Sequence, residues 1–350
     1  MIIGIHPDRT GQESYSEKWK EFLRARNVEV KDLDLLAEDA MDQAVQCDGV
    51  MWRWVHTPQF KQTAQRILYV IEHHLNIPVF PNSRTTWHYD EKVCQYYLLK
   101  TLHAPIPRTW VFWNEAEALE WACSAPYPLV FKLSTGAGSA NVLKIHKEMD
   151  ANHLIHRAFR HGIFSMTANE YRLPGGLPRT VSEVKSMLRR LVNAVAYVWR
   201  GRYPPLNNVW WKPEFGYAYF QEFLPGNDYD TRVTIIGNRA FGYRRMNRPE
   251  DFRASGSGNV SFEPGEVDLR CVEVAFAISK RGQFQSMAYD FLYKEGKPVI
   301  GEISYTFVDW LVHACPGHWD HHLNWRKGQM WPEEAQVEDF VHLAQSARQK

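Results

Sequence analysis

Short apolar strands alternate with amphipathic helices over the first 83 residues, and this alternation constrains the fold more than any other feature. The strand-like segments are "MIIGI", "VEVKDLDL", "CDGVMWRWV" and "IPVFPN", and helical spacing lies in "SEKWKEFLRARN" and "PQFKQTAQRILYVIEHHLN". Strands that are separated by helices usually join one sheet as parallel neighbours. The sequence therefore predicts a small α/β domain with a mainly parallel sheet over residues 1–83.

The rest of the chain changes from mixed helices and strands to β-hairpins. We predict the α/β domain, a mixed lobe with a basic helical insert at about 148–213, a hairpin-rich lobe and a terminal helix, at residues 1–83, 84–215, 216–330 and 331–350. In the hairpin-rich lobe, two-residue turns are predicted at 237–238 and 295–296, with a helix at about 267–281 between the hairpins. Asp90 is predicted to cap a helix that ends near Leu102.

Composition excludes several classes of protein. The chain has 350 residues, of which 45% are hydrophobic and 23% charged, and its formal net charge of +1 argues against a protein that coats nucleic acid. No apolar run reaches the ~18 residues of a membrane helix, and the start lacks the features of a signal peptide. The five scattered cysteines indicate a reducing compartment, so we expect a cytoplasmic protein.

In "FKLSTGAGSANV", residues 131–142, a strand that delivers a lysine leads into a loop of small residues. Backbone N–H groups of small residues can approach an anion closely, and the lysine adds a point charge. The candidate phosphate ligands are Lys132, Ser134, Thr135, Gly136, Gly138 and Ser139. The segment lacks the Gly-Lys-Ser/Thr end of a Walker motif, and a flexible hairpin tip is the alternative interpretation.

A second lysine, Lys92, falls in the first turn of the helix predicted after Asp90. A cation is locally unfavourable there, because the N-terminus of a helix carries the positive end of its dipole. A bound anion would offset that cost, which makes Lys92 a candidate phosphate ligand. A solvated surface lysine is the alternative interpretation.

Charged residues are dense in "YFQEFLPGNDYDTRVTIIGNRAFGYRR", residues 219–245. An apolar strand leads into a turn, after which the carboxylate of Asp228 could accept hydrogen bonds from ribose hydroxyls. Arg232 lies on the strand that follows, and Arg244 and Arg245 lie on its hairpin partner. The alternative is a lattice of surface ion pairs, each of which contributes little to stability.

The last predicted hairpin can bring two carboxylates together. Asp290 lies on its first strand, and Glu302 and Ser304 lie two residues apart on its second, so they share a face. A two-residue turn alone would pair Asp290 with Gly301, and pairing it with Glu302 requires a longer loop or a β-bulge. Adjacent carboxylates repel unless a cation lies between them, and Mg²⁺ commonly binds one or two carboxylates plus substrate phosphates. The hairpin therefore predicts a metal that bridges phosphates.

Taken in order, these four elements resemble the ATP-grasp superfamily over about residues 75–310. The specific segments are "QEFLPGNDYDTRVTIIG", "RRMNRPEDFRASGSGN" and "DFLYKEGKPVIGEIS", and the chain most resembles the ligases that add glutamate to a ribosomal protein. The resemblance implies an ATP-grasp fold, α/β with an α+β catalytic part, in which two lobes enclose the nucleotide. It also implies ATP and Mg²⁺ (or Mn²⁺) as cofactors.

The resemblance implies a role for each candidate residue. Lys92 and Lys132 match the lysines that hold nucleotide phosphates, and Asp228 matches the ribose-binding carboxylate. The loop of residues 134–139 would close over the phosphates. The segment that contacts adenine would be Gln221, Glu222, Phe223 and Leu224. The residues that offset charge during catalysis would be Lys132, Arg232 and Arg245. The acceptor-binding residues would be Arg244, Arg253 and Ser255. The metal ligands would be Asp290, Glu302 and Ser304.

The implied reaction joins a small-molecule or peptide carboxylate to an amine (or a thiol) through an acylphosphate, with release of ADP and phosphate. Positioning and charge neutralisation would dominate catalysis. A kinase on the same scaffold and a nucleotide-binding module without catalysis stay open as alternatives. The module without catalysis is motivated by Ser304, because superfamily members usually carry asparagine at that position. Dimers are frequent in the superfamily, so a homodimer is a further expectation.

A weaker pattern is "HACPGHWDHH", which spaces one cysteine and several histidines closely enough for zinc. The residues concerned are Cys315, His318, His321 and His322. No second cysteine pair accompanies them, so the preferred interpretation is a segment without metal. One end of it could line the acceptor pocket after Ser304, and a surface loop with aromatic anchors is an equal alternative.

Overall fold

The computed structural model describes residues 1–8, 14–136, 141–163, 213–248 and 258–349. The chain divides into two compact units. The first unit combines Met1–Arg108 with Leu224–Lys350, and the second unit is Thr109–Phe223. The segment borders predicted at residues 83, 215 and 330 stay a prediction, because the two units cut across the predicted segments: residues 84–108 belong to the first unit and residues 216–223 to the second.

A parallel four-stranded sheet forms from the N-terminal segment, as the strand–helix alternation predicts. Its strands are β1 Ile2–Ile5, β2 Glu29–Asp32, β3 Gly49–Met51 and β4 Val79–Phe80, in the order β2-β1-β3-β4. The connecting helices are α1 Tyr15–Ala25, α2 Ala40–Ala44 and α3 Pro58–His73. Ile3 and Ile5 pack with Trp19 of α1, whereas Val50 and Leu68 belong to a separate cluster. The sheet thus carries apolar side chains that pack in two separate clusters.

Two short helices follow in the first unit, α4 Ser83–Thr86 and α5 Lys92–Thr101. The prediction that Asp90 caps α5 is wrong. Glu91 occupies the N-cap position without a side-chain capping bond to the helix, and Asp90 has a left-handed backbone with φ of 51°. The chain turns at Asp90, one residue too early for its carboxylate to be the cap.

The second unit is an antiparallel sheet with two helices. Its elements are β5 Thr109–Phe112, α6 Glu115–Ala122, β6 Leu129–Lys132, β7 Val142–Ile145, α7 Glu148–Arg160 and β8 Ala218–Glu222, with the strand order β5-β8-β6-β7. Phe131 and Phe220 pack with Ala118 of α6 and Leu154 of α7. As predicted, β6 and β7 flank the Gly-rich loop, with Lys132 opposite Val142. Helix α7 begins the predicted insert, of which residues 164–212 lie outside the described residues.

The C-terminal part of the first unit is dominated by a second antiparallel sheet. Its strands are β9 Tyr229–Ile236, β10 Arg239–Met246, β11 Val260–Ser261, β12 Ser286–Lys294, β13 Lys297–Ser304, β14 Gly317–Asp320 and β15 Trp325–Lys327. The strand order is β13-β12-β9-β10-β14-β15, and β11 pairs with β10. The helical elements are a 3-10 turn Pro264–Glu266, α8 Leu269–Gly282, α9 Asp309–His313 and α10 Pro332–Arg348. Both predicted hairpin turns and both predicted helices are confirmed.

The two faces of this second sheet differ in character. Val233, Tyr289 and Ile303 belong to the same apolar cluster as Ala275 and Ile278 of α8, so one face packs on that helix. Side chains alternate between faces along a strand, and the residues between these apolar positions therefore point to the opposite face. Separately, none of the helices in the described residues is long and apolar enough to cross a membrane.

Candidate active site

Five charged residues on four strands lie on the face of the second sheet opposite α8. The five are Asp230 and Arg232 on β9, Arg245 on β10, Asp290 on β12 and Glu302 on β13. The register places Asp290 opposite both Arg232 and Glu302, and Arg245 opposite Asp230. Residues directly opposite in antiparallel strands share a face. The sheet register itself therefore brings these charges together.

A β-bulge sets the pairing of the two candidate metal ligands. Lys294 pairs with Lys297 across the two-residue turn, and Phe291 still pairs with Ile300, but Asp290 pairs with Glu302. Gly301 is the extra residue, and the register shifts between Asp290 and Phe291. This is the bulge that a two-residue turn requires if the carboxylates are to face each other.

Two arginines hold the carboxylate of Asp290. Arg232 binds it with both ends of its fork, Nε to Oδ1 at 2.6 Å and Nη2 to Oδ2 at 2.7 Å. Arg245 Nη2 lies 2.8 Å from the same Oδ2. Bidentate arginine–carboxylate pairs fix orientation as well as charge, so the three side chains form a rigid group.

The arginines also set the protonation of this group. Burial alone would raise the pKa of Asp290, but Arg232 and Arg245 outweigh burial and hold the pKa well below the usual range. Both arginines keep their charge, because the neighbouring carboxylates raise their pKa against the effect of burial. Asp290 is therefore an anion at any physiological pH, as a metal ligand must be.

Asp230, which is not among the site residues predicted from the sequence, completes the group. Arg245 binds it with Nε to Oδ1 at 2.7 Å and Nη2 to Oδ2 at 2.5 Å. Burial and repulsion by Asp290 raise the pKa of Asp230, although Arg245 opposes the shift. A signal was present: Asp230 lies two residues before Arg232 in a strand, so the two had to share a face.

Lys92 joins this face from the start of α5. Its Nζ lies 3.4 Å from Glu302 Oε1, and its side chain is 7% exposed while that of Glu302 is 40% exposed. A carboxylate thus offsets the cation at the helix N-terminus, where the sequence analysis expected an anion. The alternative of a solvated surface lysine is wrong, because the side chain is buried.

The carboxylate oxygens on this face are of the chemical type that binds a hard divalent cation. Asp290 and Glu302 offer carboxylate oxygens from adjacent strands, which are the ligands Mg²⁺ prefers. Ser304 is engaged elsewhere: its hydroxyl donates to Thr306 O at 2.8 Å and accepts from Thr306 N at 3.2 Å. Of the three predicted metal ligands, the carboxylates of Asp290 and Glu302 are therefore better placed to bind a metal than the hydroxyl of Ser304.

Other predicted residues of the first unit do not join the group. Arg244 lies on the opposite face of β10 from Arg245, where it pairs with Thr231 and Ser261 and its guanidinium carbon stacks 4.3 Å from the Tyr229 ring. Asp228 is exposed, and its ribose-binding role stays a prediction. The predicted acceptor residues Arg253 and Ser255 lie outside the described residues, as do Gly138 and Ser139 of the Gly-rich loop.

In the second unit, Lys132 is held by the strand predicted to contact adenine. Its Nζ donates to Gln221 Oε1 at 2.7 Å, and Gln221 Nε2 donates to Thr109 Oγ1 at 3.1 Å. These bonds run across the β6–β8 and β5–β8 pairs of one sheet. The sheet therefore fixes the position of the lysine before any ligand binds.

The start of the Gly-rich loop binds an anion of the chain itself. The backbone N–H of Ser134 donates to Glu214 Oε2 at 2.7 Å, and that of Thr135 donates to Glu214 Oε1 at 3.0 Å. Gly136 has φ of +124°, and a Cβ there would meet Asn141 Nδ2 at 2.0 Å, so only glycine fits. The start of the loop thus presents two backbone N–H groups to the carboxylate of Glu214, and phosphate binding by the loop stays a prediction.

The remaining adenine-segment residues end β8 and the loop after it. Glu222 is the last residue of β8, and the ring of Phe223 lies 3.6 Å from Lys144 Nζ. The chain re-enters the first unit at Leu224. The carbonyl of Leu224 accepts a hydrogen bond from Asn227 Nδ2 at 3.3 Å. Asn227 also donates to Tyr293 O and accepts from Tyr293 N, so it anchors this turn to β12.

The Cys–His segment forms no metal centre in the described residues, in which no group of three His, Cys, Asp or Glu side chains could hold a metal ion. Cys315 is buried, and its thiol lies 3.7 Å from Gly242 O. Cys315 belongs to an apolar cluster with Phe241 and Val312.

Solved structures of ATP-grasp proteins and of ligases are similar to this chain over nearly its whole length. A RimK-domain ATP-grasp protein from Sphaerobacter thermophilus is 14% identical, with 98% of this chain and 100% of that chain covered and a TM-score of 0.53. The D-alanine–D-alanine ligase from Bacillus anthracis in complex with ATP is 13% identical, with 99% and 98% covered and a TM-score of 0.55. The ATP-grasp ligase PsnB with minimal precursor, Mg and ADP is 12% identical, with 98% of each chain covered and a TM-score of 0.54.

No protein-family model matches the chain, and no curated protein matches its sequence. Similarity at these identities shows the fold, and the chain has the ATP-grasp fold. The fold class implied by the sequence resemblance is confirmed.

Proposed function

We propose that this protein is an ATP- and Mg²⁺-dependent ligase that joins a carboxylate to an amine. The observation that carries the proposal is the facing pair Asp290 and Glu302, with Arg232, Arg245 and Lys92 bound to it, on the ATP-grasp fold. In the proposed reaction, a substrate carboxylate oxygen attacks the γ-phosphorus and ADP leaves. The amine then attacks the acyl carbon, and phosphate leaves with the loss of a proton from nitrogen.

The charge balance of the site favours a metal-bound nucleotide over a free one. Three cationic and three acidic side chains meet on this face, so the group is formally neutral. A triphosphate brings several negative charges, which a neutral group cannot offset. Mg²⁺ held by Asp290 and Glu302 would supply the missing positive charge and polarise phosphate oxygens.

The proposed roles of the chain's own residues follow from their positions. Lys92 and Lys132 would neutralise phosphate charge, and Arg232 and Arg245 would hold Asp290 in place and stabilise charge that develops during transfer. Gln221, Glu222, Phe223 and Leu224 would contact adenine, and Asp228 would accept from the ribose. The small-molecule or peptide carboxylate and amine remain to be identified by experiment, as does the proposed homodimer.

The test is a screen of carboxylate and amine mixtures with Mg-ATP, with ADP release as the readout and the mass of the product as confirmation. We expect ADP release only when both partners are present. Asp290→Asn and Glu302→Gln should each lower the rate by about 100-fold or more. Glu295→Gln, at the exposed turn of the same hairpin, is the matched control and should keep the wild-type rate.

Three outcomes count against the ligase. Unchanged turnover in Asp290→Asn, with the melting temperature preserved, would remove the metal assignment. A product that retains the phosphoryl group would establish the kinase. Nucleotide binding without turnover in any mixture would favour the non-catalytic module, for which the engagement of Ser304 by Thr306 is the supporting observation.

A further inference from the structure

Glu214 lies shortly before β8 in the second unit, and both oxygens of its carboxylate accept hydrogen bonds from the Gly-rich loop or its neighbour. Oε1 accepts from the backbone N–H of Thr135 at 3.0 Å and from the hydroxyl of the same residue. Oε2 accepts from the backbone N–H of Ser134 at 2.7 Å and from the hydroxyl of Tyr217. Four donors therefore bind one carboxylate, and hydrogen bonds to a charged acceptor are stronger than those between neutral groups.

Tyr217 binds the same part of the loop. Its hydroxyl accepts from the backbone N–H of Ser134 at 2.6 Å while it donates to Glu214. Ser134 lies three residues after Phe131, and Tyr217 lies three residues before Phe220, which is the partner of Phe131 in the register of β6 and β8. Tyr217 therefore continues the contact between these two strands into the start of the loop.

The far end of the loop is tied to the same residues. Asn141 Nδ2 donates to the carbonyl of Thr135 at 2.7 Å, and the backbone N–H of Leu133 donates to the carbonyl of Asn141 at 3.2 Å. The peptide groups on both sides of Thr135 are therefore held, one by Glu214 and the other by Asn141. The two ends of the loop thus meet at a point that Glu214 binds from outside.

The backbone that carries Glu214 is anchored as well. Glu214 exchanges two hydrogen bonds with Ile163, which follows α7, at 2.8 and 2.9 Å. Gly216 donates to the carbonyl of Ala158 in that helix at 3.2 Å. A phosphate that replaced the carboxylate would have to break all four of its hydrogen bonds, and each broken bond to a charged group costs free energy. The contacts therefore favour a carboxylate that stays in place over one that a phosphate displaces.

We propose that Glu214 and Tyr217 are positioning residues that hold the start of the Gly-rich loop in place for the phosphates of the nucleotide, an inference that rests on the proposed function. In the nucleotide complex the backbone N–H groups of Ser134 and Thr135 then still bind Glu214 and not phosphate. Lys132 lies two residues before Ser134, so the same contacts fix the loop relative to this lysine. A loop that is already ordered loses less conformational entropy when its ligand binds, so the contacts should raise affinity for ligands that carry phosphates.

Calorimetric titration of the full chain with Mg-ADP and, separately, with adenosine tests the proposal. In Glu214→Gln the amide nitrogen cannot accept a hydrogen bond, so one side of the contact with the loop is lost together with the charge. We expect this variant to bind Mg-ADP at least about tenfold more weakly than the wild type and adenosine within about twofold. Tyr217→Phe should weaken binding of Mg-ADP about threefold or more, because it removes one donor and one acceptor. Adenosine separates the two roles, since general damage to the fold would weaken both ligands alike.

Two controls make the same substitutions elsewhere in the second unit. Glu115→Gln changes a carboxylate of α6 that binds His156 and Arg160 of α7. Tyr127→Phe removes a hydroxyl that donates to the carbonyl of Ala122. Both controls should keep the wild-type affinity for Mg-ADP and for adenosine. Melting temperatures show that each variant folds.

Three results overturn the proposal. Tighter binding of Mg-ADP by Glu214→Gln would show that the carboxylate competes with phosphate for the loop. Unchanged binding of Mg-ADP, or an equal loss for adenosine, would show that the contact has no role in phosphate binding. A wild type that binds Mg-ADP no more tightly than adenosine would leave no phosphate binding to position.

The outcome is separable from that of the ligase screen. The expected loss of Mg-ADP affinity, without ADP release in any mixture of carboxylate and amine, would support the positioning role and remove the ligase. ADP release by the wild type, with unchanged Mg-ADP binding in Glu214→Gln and Tyr217→Phe, would leave the ligase and remove the positioning role.

Discussion

Asp230 shows how much of the site depends on single buried carboxylates. Its side chain is 10% exposed and both of its oxygens bind Arg245, which also reaches Asp290. Without Asp230, two arginines would share one carboxylate in a poorly solvated place. Loss of one member of a buried ionic group costs more than loss of an exposed pair, because the remaining charge is left without its partner.

We therefore expect Asp230→Asn to lower the free energy of unfolding by about 2 kcal/mol or more. Asp268→Asn is the control, because Asp268 also pairs with an arginine, but that Arg270 side chain is 57% exposed. The control substitution should lower the free energy of unfolding by less than about 1 kcal/mol. Urea unfolding followed by the fluorescence of the 14 tryptophans measures both. Equal losses would show that the buried group is no more coupled than a surface pair.

At the scale of elements, the β12–β13 hairpin has a turn that depends on its own residues and a register that depends on packing across strands. Its turn residues Glu295 and Gly296 have φ of 52° and 73°, the left-handed pair that a two-residue hairpin turn requires. Glycine adopts this backbone without strain, and a side chain costs about 1–2 kcal/mol there.

Gly296→Ala should therefore lower the free energy of unfolding by about 1–2 kcal/mol. A methyl group at Gly296 meets nothing within 4 Å, so the loss reports the backbone alone. Gly265→Ala is matched to it, since a methyl group there also meets nothing within 4 Å and the backbone is not left-handed. That control should be neutral or slightly stabilising. Thermal unfolding of the two variants side by side measures the difference, and similar stabilities would rule out turn strain.

Sequence reasoning predicted the elements of this fold well because their signals are local. Turn residues and helical spacing act within a few positions, so the hairpins and α8 were found where they lie. The bulge at Gly301 was foreseen only as a condition, because register depends on packing across strands. Asp90 was mistaken for a cap because a positive φ at a non-glycine residue leaves no pattern in the sequence. The link of Glu214 to Thr135 was missed, since no local signal joins residues 79 positions apart.

At the scale of the whole molecule, a buried glutamate lies where helices from the two ends of the chain meet. Glu333 lies in the first turn of α10 with 0% of its surface exposed. Lys18 of α1 lies 3.8 Å from its Oε1 but 2.6 Å from Oδ2 of Asp309 in α9. Across the described residues, neither oxygen of Glu333 accepts a hydrogen bond. Lys18 thus forms its ion pair with Asp309 and not with Glu333. Glu333 is stable in this buried position only as the neutral acid.

The contact of these three helices should therefore weaken as pH rises. Burial, followed by repulsion from Asp309, raises the pKa of Glu333 to about 8 against the attraction of Lys18. Between its ordinary pKa and about 8, the folded chain holds a proton that the unfolded chain has lost, so the free energy of unfolding falls with pH. The fall amounts to at most about 1.4 kcal/mol for each pH unit in that window.

Glu333→Gln removes the titrating group but keeps its size, so this variant should lose that part of the pH dependence and become more stable than the wild type near pH 8. Well below its ordinary pKa of 4.5, the two proteins should be similar in stability, because Glu333 is then protonated in both the folded and the unfolded chain. Urea unfolding at several pH values between 5 and 8.5 measures the difference directly. Glu334→Gln, the partly exposed neighbour that lies 3.5 Å from Arg26, should keep the wild-type slope. A wild-type slope in Glu333→Gln would mean that Glu333 is charged when folded, and that the three helices are joined by an ion pair with Lys18.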